Sequence, residues 1–202
     1  MTYDFSIKRT VDIFTSMMGL MMISPLIPFI VIAIKLDSPG PALITLERVS
    51  KGKIIQVFKF RSMKTGSHGL KFAELAHLNE RKDGPFFKIK NDPRLTKIGK
   101  ILRKFRLDEF PQLINVLRGE LSLVGPRPHE PGEILSYPET YKNLPQTTAG
   151  VTGLSQVNGA SGLPFLKELE LDRYYLKNKS LSLDIKIIFK TIAILLFDPT
   201  AV

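Results

Sequence analysis

Twenty-two consecutive residues from Ile13 to Ile34 carry no charge, with Lys8, Arg9 and Asp12 before them and Lys35 and Asp37 after. As a straight helix rising ~1.5 Å per residue the run would reach about 33 Å, close to the ~30 Å hydrocarbon core of a bilayer. Two prolines complicate a simple span. Pro25 lacks the donor that a helix interior needs and obstructs the carbonyl four residues back, and Pro28 repeats the fault within a turn. A break near Ser24-Pro25 follows, where the Ser24 hydroxyl can return a hydrogen bond to a freed carbonyl. Three fates stay open: entry and exit by one face, a full span, or a buried helix. Basic residues on both flanks favour both ends being cytoplasmic. A cleaved signal peptide fits poorly, since the run is long and no small-x-small site follows it.

The other residues read as one domain of ordinary size in a chain of 202 residues. The turn cluster Asp37-Ser38-Pro39-Gly40-Pro41 ends the apolar segment. Ala42 to Val49 and Ile54 to Phe60 then form a hairpin around Ser50-Lys51-Gly52-Lys53. A loop with Gly66 and Gly69 leads to a short polar helical stretch near Ala73 to Glu80. Gly84-Pro85 and Asp92-Pro93 make 81–94 irregular. Leu95, Ile98, Leu102 and Phe105 recur at helical spacing among Lys97, Lys100, Arg103, Lys104 and Arg106, which predicts a basic amphipathic helix. Asp184 to Phe197 predicts a second helix, too short to span comfortably, that packs on the domain or lies along a bilayer surface.

Twenty-nine Lys and Arg against 19 Asp and Glu give a formal charge of +10, so an anionic partner is expected: nucleic acid, anionic lipid or a phosphorylated substrate. The absence of Cys excludes a thiol nucleophile and a zinc-thiolate site, and three scattered His argue against a histidine cage. Any metal is expected to be hard and oxygen-bound. Leu107 to Gly119 predicts a helix over 109–118, with Asp108 as N-cap, Pro111 in the first turn and Gly119 at the C-cap. Asp108 and Glu109 then stand at a helix start, where unpaired amides favour negative charge. Arg103 and Arg106 lie just upstream, and Pro126 and Pro128 hold Arg127 in a stiff loop. Carboxylates among arginines suit Mg²⁺ and phosphate chemistry, in which a carboxylate can attack phosphorus. GxxxxGK[ST] and GxGxxG are both absent, so no standard nucleotide fold is indicated.

These residues resemble the bacterial sugar transferase family, the small monotopic phosphoglycosyl transferases. The likeness runs in order through Lys8-Arg9-x-x-Asp12-Ile13, Lys59-Phe60-Arg61-Ser62-Met63, Asp92-Pro93-Arg94, Leu102-Arg103, Leu107-Asp108-Glu109-x-Pro111-Gln112 and Asn115-Val116. It continues through Ser122 to Pro128, Thr152-Gly153-Leu154-x-Gln156-Val157-Asn158-Gly159, Asp172-x-Tyr174-Tyr175 and Ser180-Leu181-x-Leu183-Asp184.

The resemblance implies transfer of a sugar-1-phosphate from a nucleotide-sugar donor, UDP-linked by expectation, to polyprenyl phosphate in the membrane. The products are a polyprenyl-diphosphate sugar and UMP, the first membrane step of bacterial glycoconjugate assembly. It implies Asp108 as nucleophile through a phosphosugar-aspartate intermediate, Glu109 as Mg²⁺ ligand, and Arg103 and Arg127 as phosphate-binding residues. Lys59, Arg61 and Asp184 join them as substrate-binding candidates, although a helix cap accounts for Asp184 equally well. Ser24-Pro25 matches the break of the family's re-entrant helix. The implied fold is α+β and mostly helical: a re-entrant helix-break-helix over 1–36, then a catalytic domain over 37–202 with a β-hairpin and interfacial amphipathic helices. Its expected place is the cytoplasmic face of the bacterial inner membrane. Partners admitted by the resemblance are membrane lipid, a second copy of the chain and glycosyltransferases of the same pathway, with no nucleic acid.

Some positions depart from the family pattern. Ala149-Gly150 replaces the usual Pro-Gly, Thr147 and Thr148 replace basic residues, Ala160 stands where Arg is frequent, and Ser50 stands where a hairpin Gly is usual. These changes bear on donor contacts in the 147–165 loop rather than on Asp108 and Glu109. The competing reading is a non-catalytic membrane-surface scaffold, which needs only charge and apolar area. Nucleic-acid binding would rest on net charge alone and leave the apolar run unexplained.

Overall fold

The computed structural model describes residues 5–67, 69, 74–159 and 162–197. It is mostly helical, with two small sheets. Helix α1 (Phe5–Ile23) runs into a 3-10 turn (Ser24–Leu26) and then α2 (Ile27–Asp37). Each proline falls in the first turn of a new helical element, where a missing N–H costs nothing. Pro28 is therefore no second fault. The Ser24 hydroxyl donates to the Met21 carbonyl at 2.8 Å, answering the break as the sequence predicts.

Ser6–Asp37 is long and apolar enough to cross a membrane, and only 17% of its apolar window is buried against the protein, unlike the core helix of a soluble domain. The buried residues form one stripe: Lys8, Asp12, Ser16, Ile23, Ile30 and Ile34. Phe14, Met21, Met22, Phe29 and Leu36 are exposed elsewhere on the same helices.

Strands β1 (Leu43–Ser50) and β2 (Lys53–Phe60) pair antiparallel from Leu43↔Phe60 to Ser50↔Lys53. The two-residue turn places both Lys51 (φ 55°) and Gly52 (φ 69°) in the left-handed region, as a primed hairpin turn requires. Helix α3 (Lys97–Lys104) is the predicted basic helix. Its N-terminus is capped twice: Gly99 N–H donates to Thr96 Oγ1 at 3.0 Å and Ile98 N–H to Asp37 Oδ2 at 2.8 Å. Gly99 meets the backbone of Ser62 so closely that a Cβ would stand 1.9 Å from its carbonyl oxygen. Of the polar helical stretch predicted near Ala73 to Glu80, Ala73 lies outside the described residues, and the described part holds a 3-10 turn at Ala76–Leu78. The Asn79 side chain ends it, accepting from the Arg81 and Lys88 N–H groups and donating to the Arg81 carbonyl.

Helix α4 (Gln112–Leu117) precedes β3 (Ser122–Val124) and α5 (Pro131–Ile134). Strand β4 (Gly150–Thr152) pairs parallel with β3. Helices α6 (Leu154–Val157), α7 (Phe165–Asn178) and α8 (Leu181–Phe197) follow among the described residues. The main core packs Val57, Leu113, Val116, Leu121, Val124 and Ile187. A second cluster joins Ile30 and Ile34 of α2 to Phe60 and Leu102, and so brings α3 against the apolar segment. A third gathers Phe86, Tyr137, Leu144, Phe165 and Leu169.

Both ends of the apolar segment are bonded to this body. Arg9 donates from Nη1 to the Val116 carbonyl at 2.6 Å and from Nη2 to the Leu117 carbonyl at 2.8 Å, satisfying the end of α4. Asp12 accepts from the Ser122 hydroxyl at 2.6 Å. At the far end Arg61 donates to the Ser38 carbonyl at 2.7 Å, to Ile34 at 3.3 Å and to Pro39, closing α2.

Candidate active site

The 106–119 segment departs from the predicted single helix. Leu107–Glu109 is a 3-10 turn, and α4 begins only at Gln112 with Pro111 in the N-cap position. Hydrogen bonds from Phe110 N–H to the Leu107 carbonyl and from Leu113 N–H to Phe110 keep the three-residue spacing across Pro111. Asp108 is therefore not an N-cap. Its side chain turns inward, buried, towards Lys59. Arg106 starts the turn in the left-handed region (φ 52°, ψ 22°), a conformation uncommon outside glycine, asparagine and aspartate. Gly119 (φ 75°) does end α4 as predicted.

Lys59 Nζ lies 2.9 Å from Glu109 Oε1 and 3.4 Å from Asp108 Oδ2, so one ammonium bridges two neighbouring carboxylates. Asn115, fully buried on α4, fixes this relation. It accepts from Phe58 N–H at 3.0 Å and donates to the Gln56 carbonyl at 2.8 Å, binding the edge of β2 as a further strand would. The strand that carries Lys59 is thereby locked to the helix that follows Asp108.

Lys59, Arg61, Arg103, Asp108, Glu109 and Arg127 all line one cleft of about 1460 Å³. Its wall also includes Thr15 and Gly19 of α1 and Ile188, Thr191 and Leu195 of α8. Arg103 Nε donates to the Ser62 hydroxyl at 3.2 Å. The Arg61 guanidinium reaches the cleft wall but is engaged by carbonyls at the end of α2 and by Thr65. Arg127 is anchored through its backbone, whose N–H donates to Asp172 Oδ2 at 3.1 Å.

The field in the cleft favours anions. Burial alone would raise the Glu109 pKa, but the charge and hydrogen bond of Lys59, with Arg127 and Arg106 behind them, hold it at about 2. Burial likewise opposes the charge on Arg127, and Glu168 and Glu109 outweigh it, leaving the guanidinium pKa raised. Among the described residues no group of three or more His, Asp or Glu side chains forms a ready metal cage. A site of one or two carboxylates completed by substrate phosphates is nevertheless the usual one for Mg²⁺. The adjacent carboxylates of Asp108 and Glu109, already collecting the cation of Lys59, fit that description.

Asp184 and Ser24-Pro25 do not line this cleft. Asp184 is buried, 3.0 Å from Lys8 Nζ, and accepts from the Tyr175 hydroxyl at 2.7 Å. The cap of α8 is Ser180, whose Oγ accepts from Leu183 N–H.

A profile of the family described as bacterial sugar transferase matches residues 3–198. The chain belongs to the bacterial sugar transferase family. It is 40% identical over 196 residues to the undecaprenyl-phosphate galactose phosphotransferase of Salmonella typhimurium, covering 94% of this chain and 40% of that protein. It is 38% identical over 199 residues to the UDP-glucose:undecaprenyl-phosphate glucose-1-phosphate transferase of Escherichia coli, covering 92% and 39%. The exopolysaccharide production protein PSS of Rhizobium leguminosarum is 40% identical over 201 residues, with 94% of each chain covered. The chain thus spans about two fifths of the length of the first two relatives and nearly all of the third.

Within the bacterial sugar transferase sequence the structure separates two kinds of motif residue. Lys59, Arg103, Asp108, Glu109 and Arg127 line the cleft. Lys8, Arg9, Asp12, Asn115, Tyr175 and Asp184 hold elements together. Sequence reasoning grouped Lys59 with phosphate binding and did not single out Asn115, Glu168 or Asp172 as site residues. The signal available for Asn115 was its position one helical turn beyond Pro111, within a matched motif.

Proposed function

We propose that this chain transfers a sugar-1-phosphate from a UDP-sugar to polyprenyl phosphate through a covalent aspartate intermediate. The observation that carries this reading is the Lys59 ammonium shared by Asp108 and Glu109 in a cleft lined by Arg103 and Arg127. Two relatives, an undecaprenyl-phosphate galactose phosphotransferase and a UDP-glucose:undecaprenyl-phosphate glucose-1-phosphate transferase, support the reaction class and, in the second, a UDP-sugar donor.

In the first step an Asp108 carboxylate oxygen attacks the phosphorus bonded to the sugar. A P–O bond to aspartate forms, the bridging P–O bond breaks, and UMP leaves with that electron pair. In the second step the phosphate oxygen of the lipid attacks the same phosphorus, the acyl phosphate bond breaks, and Asp108 returns as carboxylate. Arg103 and Arg127 bind phosphate oxygens, and Lys59 keeps the carboxylate pair compensated between turnovers. Glu109, with Asp108 beside it, would hold Mg²⁺, which supplies neutralisation of phosphate charge when bound. Splitting the transfer lets a soluble donor and a lipid acceptor use one site in turn.

The membrane arrangement follows from the same body. Arg9 at one end of the apolar segment and Asp37 at the other bond to a single domain, which supports entry and exit by one face, and the basic residues on both flanks favour the cytoplasmic one. The exposed apolar residues of α8, Phe189 and Leu196 among them, add a second surface for the interface. Cleft walls from α1 and α8 suit an acceptor with one polar phosphate and an apolar tail.

Intact-protein mass spectrometry after exposure to Mg²⁺ and a panel of UDP-sugars, with no lipid acceptor, tests the reading. A phosphosugar increment in the wild type and none in Asp108→Asn is expected. An active Asp108→Asn variant overturns the nucleophile assignment, and loss of UMP release with every donor even after polyprenyl phosphate is added returns the chain to the scaffold reading.

A further inference from the structure

Arg127 reaches the cleft from a base of two acids on α7. Its N–H donates to Asp172, and Asp172 is fixed in turn by the Ser155 hydroxyl, which donates to Oδ1 at 2.7 Å. One helical turn earlier, Glu168 brings Oε1 to 3.8 Å from Arg127 Nε. The side chain of Glu168 is 2% exposed and that of Arg127 38%, so the acid approaches from the protein side while the cation faces solvent. At 3.8 Å the contact is an ion pair without a hydrogen bond: it directs the guanidinium and leaves its donors available.

Glu168 is held in turn. Its Oε2 lies 3.4 Å from Arg81 Nη1, and Oε1 lies 3.7 Å from His129 Nε2. His129 stacks on Phe86 with ring centroids 4.5 Å apart, and the Arg81 guanidinium lies over the same Phe86 ring, 4.7 Å from its centroid. A buried carboxylate flanked by Arg81 and His129 on the protein side restricts the guanidinium to fewer orientations than a solvated arginine explores.

We infer that Glu168 is a positioning residue for Arg127, an electrostatic tether that aims its guanidinium into the cleft. Its catalytic consequence rests on the transfer reading, while the tether itself does not. Glu168 opposes anion binding by its charge and favours reaction by its geometry. Removing the charge therefore leaves phosphate affinity intact or improved and slows turnover, a split that general loss of structure does not produce.

Two measurements on the detergent-solubilised chain test this. In the first, the arginine ¹⁵Nε–Hε spectrum is recorded, with the Arg127 signal identified by its disappearance in Arg127→Lys. That signal is expected to report restricted side-chain motion (a high ¹⁵N heteronuclear NOE) in the wild type and faster motion in Glu168→Gln. An unchanged signal overturns the tether whatever reaction the chain performs. In the second, UMP release from a UDP-sugar is followed in a double-mutant cycle. Glu168→Gln is expected to lower kcat on the order of tenfold without raising KM, and to cost less than about twofold in the Arg127→Ala background. An equal loss in both backgrounds overturns the positioning role. If Glu168→Gln does not fold, Glu168→Asp, which keeps the charge but shortens its reach, is read by the same signal and the same cycle.

Discussion

Lys8 Nζ lies 3.0 Å from Asp184 Oδ2, a buried ion pair that ties α1 to α8. Lys8 also meets Asp12 at 2.9 Å, so one ammonium serves two carboxylates out of water. Removing it strands both. Lys8→Met is expected to lower stability by about 3–5 kcal/mol, the usual result of leaving a buried charge uncompensated. Asp184→Asn, which retains an acceptor for the Tyr175 hydroxyl, is expected to cost less and to leave the donor KM unchanged. Denaturant unfolding and steady-state kinetics check the pair. A raised donor KM with wild-type stability would restore Asp184 to the substrate site.

Two departures from the family pattern are partners. Ser50 Oγ accepts from the Ala149 N–H at 3.1 Å and donates to the Glu120 carbonyl at 2.7 Å. A proline at 149 would have no N–H to satisfy and a glycine at 50 no hydroxyl to offer, so each common residue suits the other. Ser50→Gly alone is expected to destabilise by about 1–3 kcal/mol by orphaning a buried donor, and adding Ala149→Pro is expected to recover much of the loss. Strict additivity in the unfolding cycle would refute this pairing.

Asp172 gives stability a pH dependence. Burial, opposed by the Ser155 hydrogen bond and by His129, pushes its pKa up to about 6 from the ordinary 3.8. The native state then binds a proton more tightly than the unfolded chain between these values. Its contribution is present below about pH 4 and lost as pH rises through 6. Relative to Asp172→Asn, the wild type is expected to lose about 3 kcal/mol of stability across that window. Unfolding curves of both proteins from pH 4 to 8 measure the difference, and parallel curves would contradict it.

Lys59→Met leaves Asp108 and Glu109 adjacent with no ammonium between them. The expected result is a fall in kcat on the order of 10²-fold, of the size seen when a preorganised charge is removed from an active site. Lys59→Arg should keep part of the rate because it keeps the charge. Initial rates of UMP release decide this, and near-normal activity in Lys59→Met would mean that the bridge is dispensable.

The exposed face of the apolar segment predicts lipid affinity. Phe29→Asp and Met22→Asp each remove an exposed apolar side chain whose full burial is worth about 1.5–3 kcal/mol, so each is expected to weaken vesicle binding at least about tenfold. Neither touches the buried stripe, and the fold should persist. Flotation with polar-lipid vesicles checks it, and unchanged partitioning would show that another surface carries the attachment.

Features written in local spacing were legible in the sequence. The break at Ser24-Pro25, the hairpin from Leu43 to Phe60, the stripe of α3 and the stop at Gly119 each depend on residues within a turn or two of one another. Features that depend on a distant partner were not. Asp108 reads as an N-cap from its neighbours, but Lys59 on β2, a strand held by Asn115 of α4, sets its orientation. Asp184 reads as a cap or a phosphate ligand until Lys8 arrives from the opposite end of the chain. The motif segments announced which residues matter, and only the fold divided them between chemistry and architecture.

The Lys8–Asp184 pair also imposes an order on biogenesis. A ribosome releases α1 long before α8, so the greasy segment emerges with Asp12 beside Lys8 while the second acid, Asp184, is still unmade. Until α8 is made, Asp12 alone compensates Lys8, and α1 has no ionic tie to the helix that will hold it. Helix α8 then acts as a latch, and a chain halted before it would reach the bilayer without that fastening.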